Sequence, residues 1–299
     1  MGVIKVGTAG WADRTLLDSG WYPRSANTPA GRLAHYADRF PLVEVDTSYY
    51  AVPAPETAHG WAAATPAGFT FDVKAFRLFT GHPTPVDCLP RDLRPPGNPR
   101  RIRRRDLPPG AYDELWVRFR AALEQLAVAD RLGAVLLQFP PWLARGDAAR
   151  RRIVELAGRC RPWPVAVELR HGSWFEETAA LDTLAFLREH DLAHVVVDMP
   201  QGHPSSVPPV PVTTADLAVV RFHGHSTGWE SGDKQEKFRY AYGERELRHW
   251  ADLLVELGGR STELHVLFNN CCGDQAQRDA ARLADLLGVE PARSPARAG

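Results

Sequence analysis

The stretch VAVELRHGSWF, residues 165–175, opens as an apolar strand and loads charge onto its far end. With a two-residue period, Ala166, Glu168 and Arg170 share one face, and Val165, Val167 and Leu169 share the other. A charge inside an apolar strand is costly unless a partner meets it. The strand therefore needs a greasy layer on one side and a set of charged neighbours on the other.

Seven further runs have the same character: IKVGTAG (4–10), LVEVDTSYY (42–50), FTFDVKAF (69–76), AVLLQFPP (134–141), HVVVDM (194–199), LAVVRFHG (217–224) and LHVLFNN (264–270). Between them, apolar residues recur at three- and four-residue spacing over 112–131, 177–190, 244–257 and 275–288, with shorter helices expected at 31–39, 56–64 and 147–158. After the sixth strand only TTAD stands where a helix belongs, so that helix is expected to be vestigial. Strand and helix alternating eight times predicts one (β/α)8 TIM-type barrel over residues 1–288, with a disordered tail at 289–299. A doubly wound open sheet is the competitor, but GTAGW after the first strand lacks the G-x-G-x-x-G spacing. Loop lengths agree with a barrel. Helix-to-strand links are short, whereas long strand-to-helix segments follow strands one, three, six and seven. Such elaboration belongs at the C-terminal mouth, where barrels of this type carry their sites.

The ends of the strands gather polar side chains. Glu44, Asp46 and Ser48 share a face of strand two, and Asp72 and Lys74 a face of strand three. Gln138 ends strand four, Glu168 and Arg170 strand five, and Asp198 strand six. Arg221 and His223 share a face of strand seven, and Asn269 and Asn270 close strand eight. The expectation is a polar plug beneath the open mouth. Each member alone is more often part of a satisfied ion pair. A whole layer of them suggests a ligand site, because buried ion networks stabilise no better than hydrocarbon.

Mixed carboxylates and cations suit a small anionic substrate bearing phosphate or carboxylate. Arg170, Arg221, Gln138, Asn269 and Asn270 would hold it. His223 is the natural proton carrier, Glu168 the candidate acid or base with Glu44 and Asp198 beside it, and Lys74 either a phosphate-binding charge or a Schiff-base amine. Trp11, Tyr49, Tyr50, Trp142, Trp174, Phe175 and Trp229 are placed on the same rim. No cofactor motif is present. Three cations in the mouth argue against a metal among Glu44, Glu168, Asp198 and His223.

The 299 residues carry 36 basic and 36 acidic side chains, so net charge announces neither a nucleic-acid nor a membrane partner. No apolar run reaches the length of a membrane span and no secretory signal is read, which predicts a cytoplasmic protein. Four cysteines without C-x-x-C spacing predict no disulfide framework. One local feature stands out. Arg100, Arg101, Arg103, Arg104 and Arg105 crowd the third long loop, as a solvated lid or a nucleic-acid contact. Three functional readings follow: an acid–base enzyme on a small anion, a nucleic-acid-binding or nucleic-acid-processing protein, and a metabolite-binding barrel without turnover.

Taken in order, GTAGW, WYP, VEVDTSYY, FTFDVKAFRLFTGH, LGAVLLQFPPW, VAVELRHGSWF, VVVD, VVRFHG and VLFNNC resemble the YecE-like proteins, a domain-of-unknown-function family, over residues 3–288. The resemblance implies a TIM-type barrel and supplies no activity. It places Glu44, Lys74, Gln138, Glu168, Arg170, His171, Asp198, Arg221, His223, Asn269 and Asn270 at motif positions. The sequence departs at Asp46-Thr47, where the family looks like Asn-Ser, and at Cys272, where an aromatic is usual.

Overall fold

A computed structural model describes residues 2–97, 99–176 and 178–289 of the chain. Eight parallel strands close into a barrel: β1 Val3–Ala9, β2 Leu42–Val45, β3 Thr70–Lys74, β4 Leu132–Gln138, β5 Val165–Glu168, β6 Ala193–Asp198, β7 Leu217–Phe222 and β8 Glu263–Phe268. Each strand pairs with its sequence neighbours, and β1 pairs with β8 to close the ring. The (β/α)8 expectation holds. From residue 290 onward, the tail expected to be disordered lies outside the described residues.

The helices are α1 Arg14–Asp18, α2 Pro29–Ala37, α3 Pro55–Ala63, α4 Ala111–Val128, α5 Asp147–Cys160, α6 Ala179–Glu189, α7 Lys234–Phe238, α8 Glu244–Gly258 and α9 Gln275–Leu287. Sequence periodicity places seven of these; α1 and α7, one turn each, are too short to show a period. Local chemistry sets the starts. Thr28 caps α2, its Oγ1 accepting from Gly31 N at 3.0 Å with Pro29 in the first turn, and Glu246 accepts from the Gly243 N–H at 2.7 Å to cap α8. Between β6 and β7 no described residue is helical, as expected from TTAD.

Most strands stop about two residues short of the apolar run that predicts them. At β2 the cause is visible. Ser48 Oγ meets the carbonyls of Val45 and Lys74, both at 2.6 Å, and folds the chain into a 3-10 turn over Thr47–Tyr49. Outward-facing side chains form the main core against the helices. Phe222 stacks on Phe268 at 4.6 Å and meets Trp250 of α8 edge-on at 4.9 Å. Strands β1 and β2 approach closely at Gly7, where a Cβ would fall 1.9 Å from the Leu42 oxygen. Only glycine fits there.

Inside the barrel, polar side chains form two layers. The lower one, toward the strand N-termini, joins Lys5, Thr70, Asp72, Glu263 and His265. Asp72 belongs here and not with Lys74 in the mouth, because two residues along a strand shift a side chain by one layer. The upper layer is the floor of the mouth.

Candidate active site at the barrel mouth

Arg221 organises the floor. It is fully buried, donating from Nε at 2.8 Å and Nη2 at 2.7 Å to the two oxygens of Glu44, and from Nη1 to Glu168. Glu168 Oε1 also accepts from Arg170 Nη1 at 2.9 Å and Gln138 Nε2 at 2.7 Å. One guanidinium thus ties β7 to β2 and β5, the fork geometry that suits arginine to carboxylates. Burial works to raise the Glu168 carboxyl, but the Arg221 and Arg170 guanidiniums outweigh it and hold it well below the usual range. Burial pushes the Glu44 carboxyl up, against the pull of Arg221 and then Lys74. A carboxylate so clamped is an anchor, so the geometry gives Glu168 a different part from the acid or base expected of it.

His223 stands beside this network. Its Nε2 is 3.6 Å from Glu168 Oε1, too long for a hydrogen bond, and its Nδ1 lies 2.9 Å from Asn269 Nδ2. With the Asn269 amide donating, Nδ1 is the acceptor and Nε2 carries the hydrogen. Burial lowers the imidazole to about 4 despite Glu168, so His223 is neutral at pH 7. Lys74 donates to Asp46 Oδ1 at 2.8 Å. Burial works against its charge, but Asp46 and Glu44 outweigh that and its pKa is raised. Such a lysine is a fixed cation; a Schiff-base amine needs a depressed value.

Above the floor lies a cavity of about 290 Å³. It is lined by Ala9, Asp13, Asp46, Tyr49, Tyr50, Lys74, His82, Gln138, Phe139, Pro141, Arg170, Ser205, His223, Trp229, Lys237, Phe238, Asn269 and Cys271. Of the residues expected from sequence, Lys74, Gln138, Arg170, His223, Asn269 and Tyr49 face this space, and Glu44, Glu168 and Arg221 support it from below.

Five expected residues are elsewhere. Asp198 points out of the barrel, where Oδ2 accepts from Tyr242 Oη at 2.6 Å and meets His225 Nε2 at 2.9 Å. The register explains it: Val197 pairs with the inward Arg221, and Asp198 with the outward Phe222. Asn270 also faces outward, donating to Asp279 Oδ2 at 2.8 Å and the Tyr240 carbonyl at 2.9 Å. Adjacent strand residues cannot share a face, and Asn269 has taken the inner one. Trp174 is fully buried and donates to the Leu143 carbonyl at 2.7 Å, while Trp11 packs edge-on against Trp61 at 5.8 Å. His171 caps a 3-10 turn, its Nδ1 accepting from Ser173 N at 3.2 Å. These three do the work of packing and capping.

The comparisons with known proteins agree with this architecture. The family model described as "Protein of unknown function DUF72" matches residues 5–298. The chain belongs to the DUF72 family. It is 31% identical over 299 residues to the UPF0759 protein YunF of Bacillus subtilis (strain 168), with 96% of each chain covered. A crystal structure of a DUF72 family protein from Thermotoga maritima MSB8 superposes with a TM-score of 0.76 at 29% identity, over 96% of this chain and 99% of that one. A second, from Enterococcus faecalis V583, gives 0.80 at 24% identity, over 99% and 100%.

Several mouth residues of this DUF72 chain escape the strand-by-strand reading because they come from loops. His82 lies in the segment after β3, and Ser205 in the one after β6. Lys237 and Phe238 lie in and at the end of α7. The available signal is Lys237, one of only four lysines in an arginine-rich chain. The arginine run is partly tied down and lines no part of the mouth. Arg101 and Ile102 pair antiparallel with Thr84 and Pro85, and Arg104 lies over the Tyr112 ring at 3.9 Å and 3.3 Å from Glu155. Among the described residues, no group of three or more His, Cys, Asp or Glu could hold a metal ion, and no helix is long and apolar enough to cross a membrane.

Proposed function

We propose that the barrel mouth binds a small anionic substrate through phosphate or carboxylate groups, and that His223 carries any proton transferred there. One observation carries this reading. Three cations from separate elements, Lys74, Arg170 and Lys237, converge on one cavity whose floor is already satisfied. A volume of about 290 Å³ fits a metabolite and not a polymer. With Glu168 clamped, the imidazole of His223, neutral at pH 7 and with a buried Nε2 that hydrogen-bonds to no described residue, is the group left to exchange a proton with a ligand. A second reading, a metabolite-binding barrel without turnover, is favoured by the lowering of His223 to about 4, which leaves it a weak base at pH 7. The finer YecE-like name rests on the ordered motifs and accords with the DUF72 membership.

Thermal-shift screening with inorganic phosphate, phosphate monoesters and carboxylates tests the binding. The wild type should be stabilised by some of these anions, and Lys237→Ala should show a reduced shift while keeping its unliganded melting temperature. A flat screen, or an unchanged shift in Lys237→Ala, overturns the reading. For any anion that is turned over, His223→Gln should abolish turnover while binding persists. Full turnover by that variant removes His223 from the chemistry.

A further inference from the structure

Two aromatic rings of the mouth, Tyr49 and Trp229, face cations. Lys74 Nζ lies 4.6 Å from the centre of the Tyr49 ring, with the Arg77 guanidinium at 5.1 Å. On a separate wall, Lys237 Nζ lies 4.4 Å from the Trp229 ring, with the Arg170 guanidinium at 5.7 Å. Trp229 is buried and pinned, its Nε1 donating to Ser205 Oγ at 3.0 Å. A base or a sugar needs a free ring face, and these faces are engaged. An aromatic face holds a cation in place, at about 0.5–2 kcal/mol; Lys74 is also bonded to Asp46 and Arg170 to Glu168, so Arg77 and Lys237 add a second positive charge at their respective rings.

The mouth therefore presents two positive poles, one built on Tyr49 after β2 and one on Trp229 after β7. We infer that its ligand is a small dianion with one charged group at each pole, such as a linear dicarboxylate or a phosphate ester that also bears a carboxylate. This inference rests on the mouth being an anion site, as proposed above.

The field at each pole agrees. At the first, burial and then the charges of Lys74 and Arg77 together lower His82 to about 4. At the second, burial lowers the Lys237 ammonium, and Arg170 adds to the effect. At each wall one group, His82 or Lys237, feels neighbouring positive charge, and an anion there would relieve it. A single anion reaches one wall and leaves the other unrelieved.

Calorimetric titration with acetate, inorganic phosphate, phosphoglycolate and linear dicarboxylates of two to six carbons tests the inference. One spacing among the dianions should bind at least about tenfold tighter than acetate or phosphate, the return of one added charge-assisted contact. Lys237→Ala and Lys74→Met should each bring that dianion to within about twofold of the monoanion level, since each removes one pole. Lys237→Ala alone decides the matter if Lys74→Met fails to fold, because Lys237 lies on a loop helix away from the buried floor. Equal affinity for monoanions and every dianion overturns the two-pole inference and leaves the anion site standing. Binding of no anion at all overturns both.

Discussion

Replacing Arg221 with methionine removes the one cation bonded to both floor carboxylates. Glu44 and Glu168 have no exposed surface, and Arg221 supplies both direct contacts to Glu44. Glu168 keeps Arg170 and Gln138, so the loss falls mainly on Glu44. Breaking a buried pair by removing one partner costs about 3–5 kcal/mol, which for a chain of this size lowers the melting temperature by on the order of 10 °C. The penalty carries a pH signature. Without Arg221, the folded-state Glu44 pKa rises well above the unfolded value of about 4.3, so the folded form holds a proton that the unfolded form releases. The deficit then grows as pH climbs from about 4.3 through the folded value, and urea unfolding at pH 5 should show a smaller loss than at pH 7.5. Adding Glu44→Gln should restore roughly half of the loss, because the stranded charge is gone. A loss below about 1 kcal/mol at pH 7.5, or one that Glu44→Gln does not relieve, would refute the argument that Arg221 is there for these two carboxylates.

Two further outcomes follow from the other polar clusters. His265 in the lower layer is fully buried. Burial works to lower it, but Asp72 at 2.8 Å and Glu263 at 3.0 Å raise it from 6.5 to about 9. Its folded value exceeds its unfolded value, so its contribution is complete below pH 6.5 and is lost as pH rises through 9. Relative to His265→Gln, the wild type should lose on the order of 3 kcal/mol of stability between pH 6 and pH 10, read by urea unfolding; parallel pH curves would show that His265 is neutral when folded. Asp198→Asn should bring the His225 pKa down, by imidazole NMR titration, because the hydrogen bond to Asp198 is what raises it. It should leave anion affinity in the mouth within about twofold, since the two sites share no partner. A large loss of affinity would mean that Asp198 acts on the mouth after all.

How much of the site was legible depended on whether neighbouring residues differ in polarity. In VAVELRH the alternation is written in the side chains, and Glu168 and Arg170 do share the inner face. Asn269 and Asn270 are chemically identical, so the sequence alone offers no preference, though strand geometry requires that one turn away. HVVVDM has no alternation to read, and the face of Asp198 was settled by pairing Val197 beside Arg221. The loop contributions were not legible. His82, Ser205 and Lys237 reach the mouth because loops after β3, β6 and β7 fold over it, and loop paths follow from packing and not from any period.

The sequence by itself determined the eight-fold strand–helix order, the barrel and the end that bears the long loops, because periodicity and loop length are local properties of the chain. Tertiary structure alone decided which carboxylates are anchors and which cations face the cavity. Charge state and partnership depend on burial and on contacts between residues as distant as Glu44 and Arg221, 177 positions apart. VAVELRH announces a charge that needs a partner; only the closed barrel brings Arg221 to it.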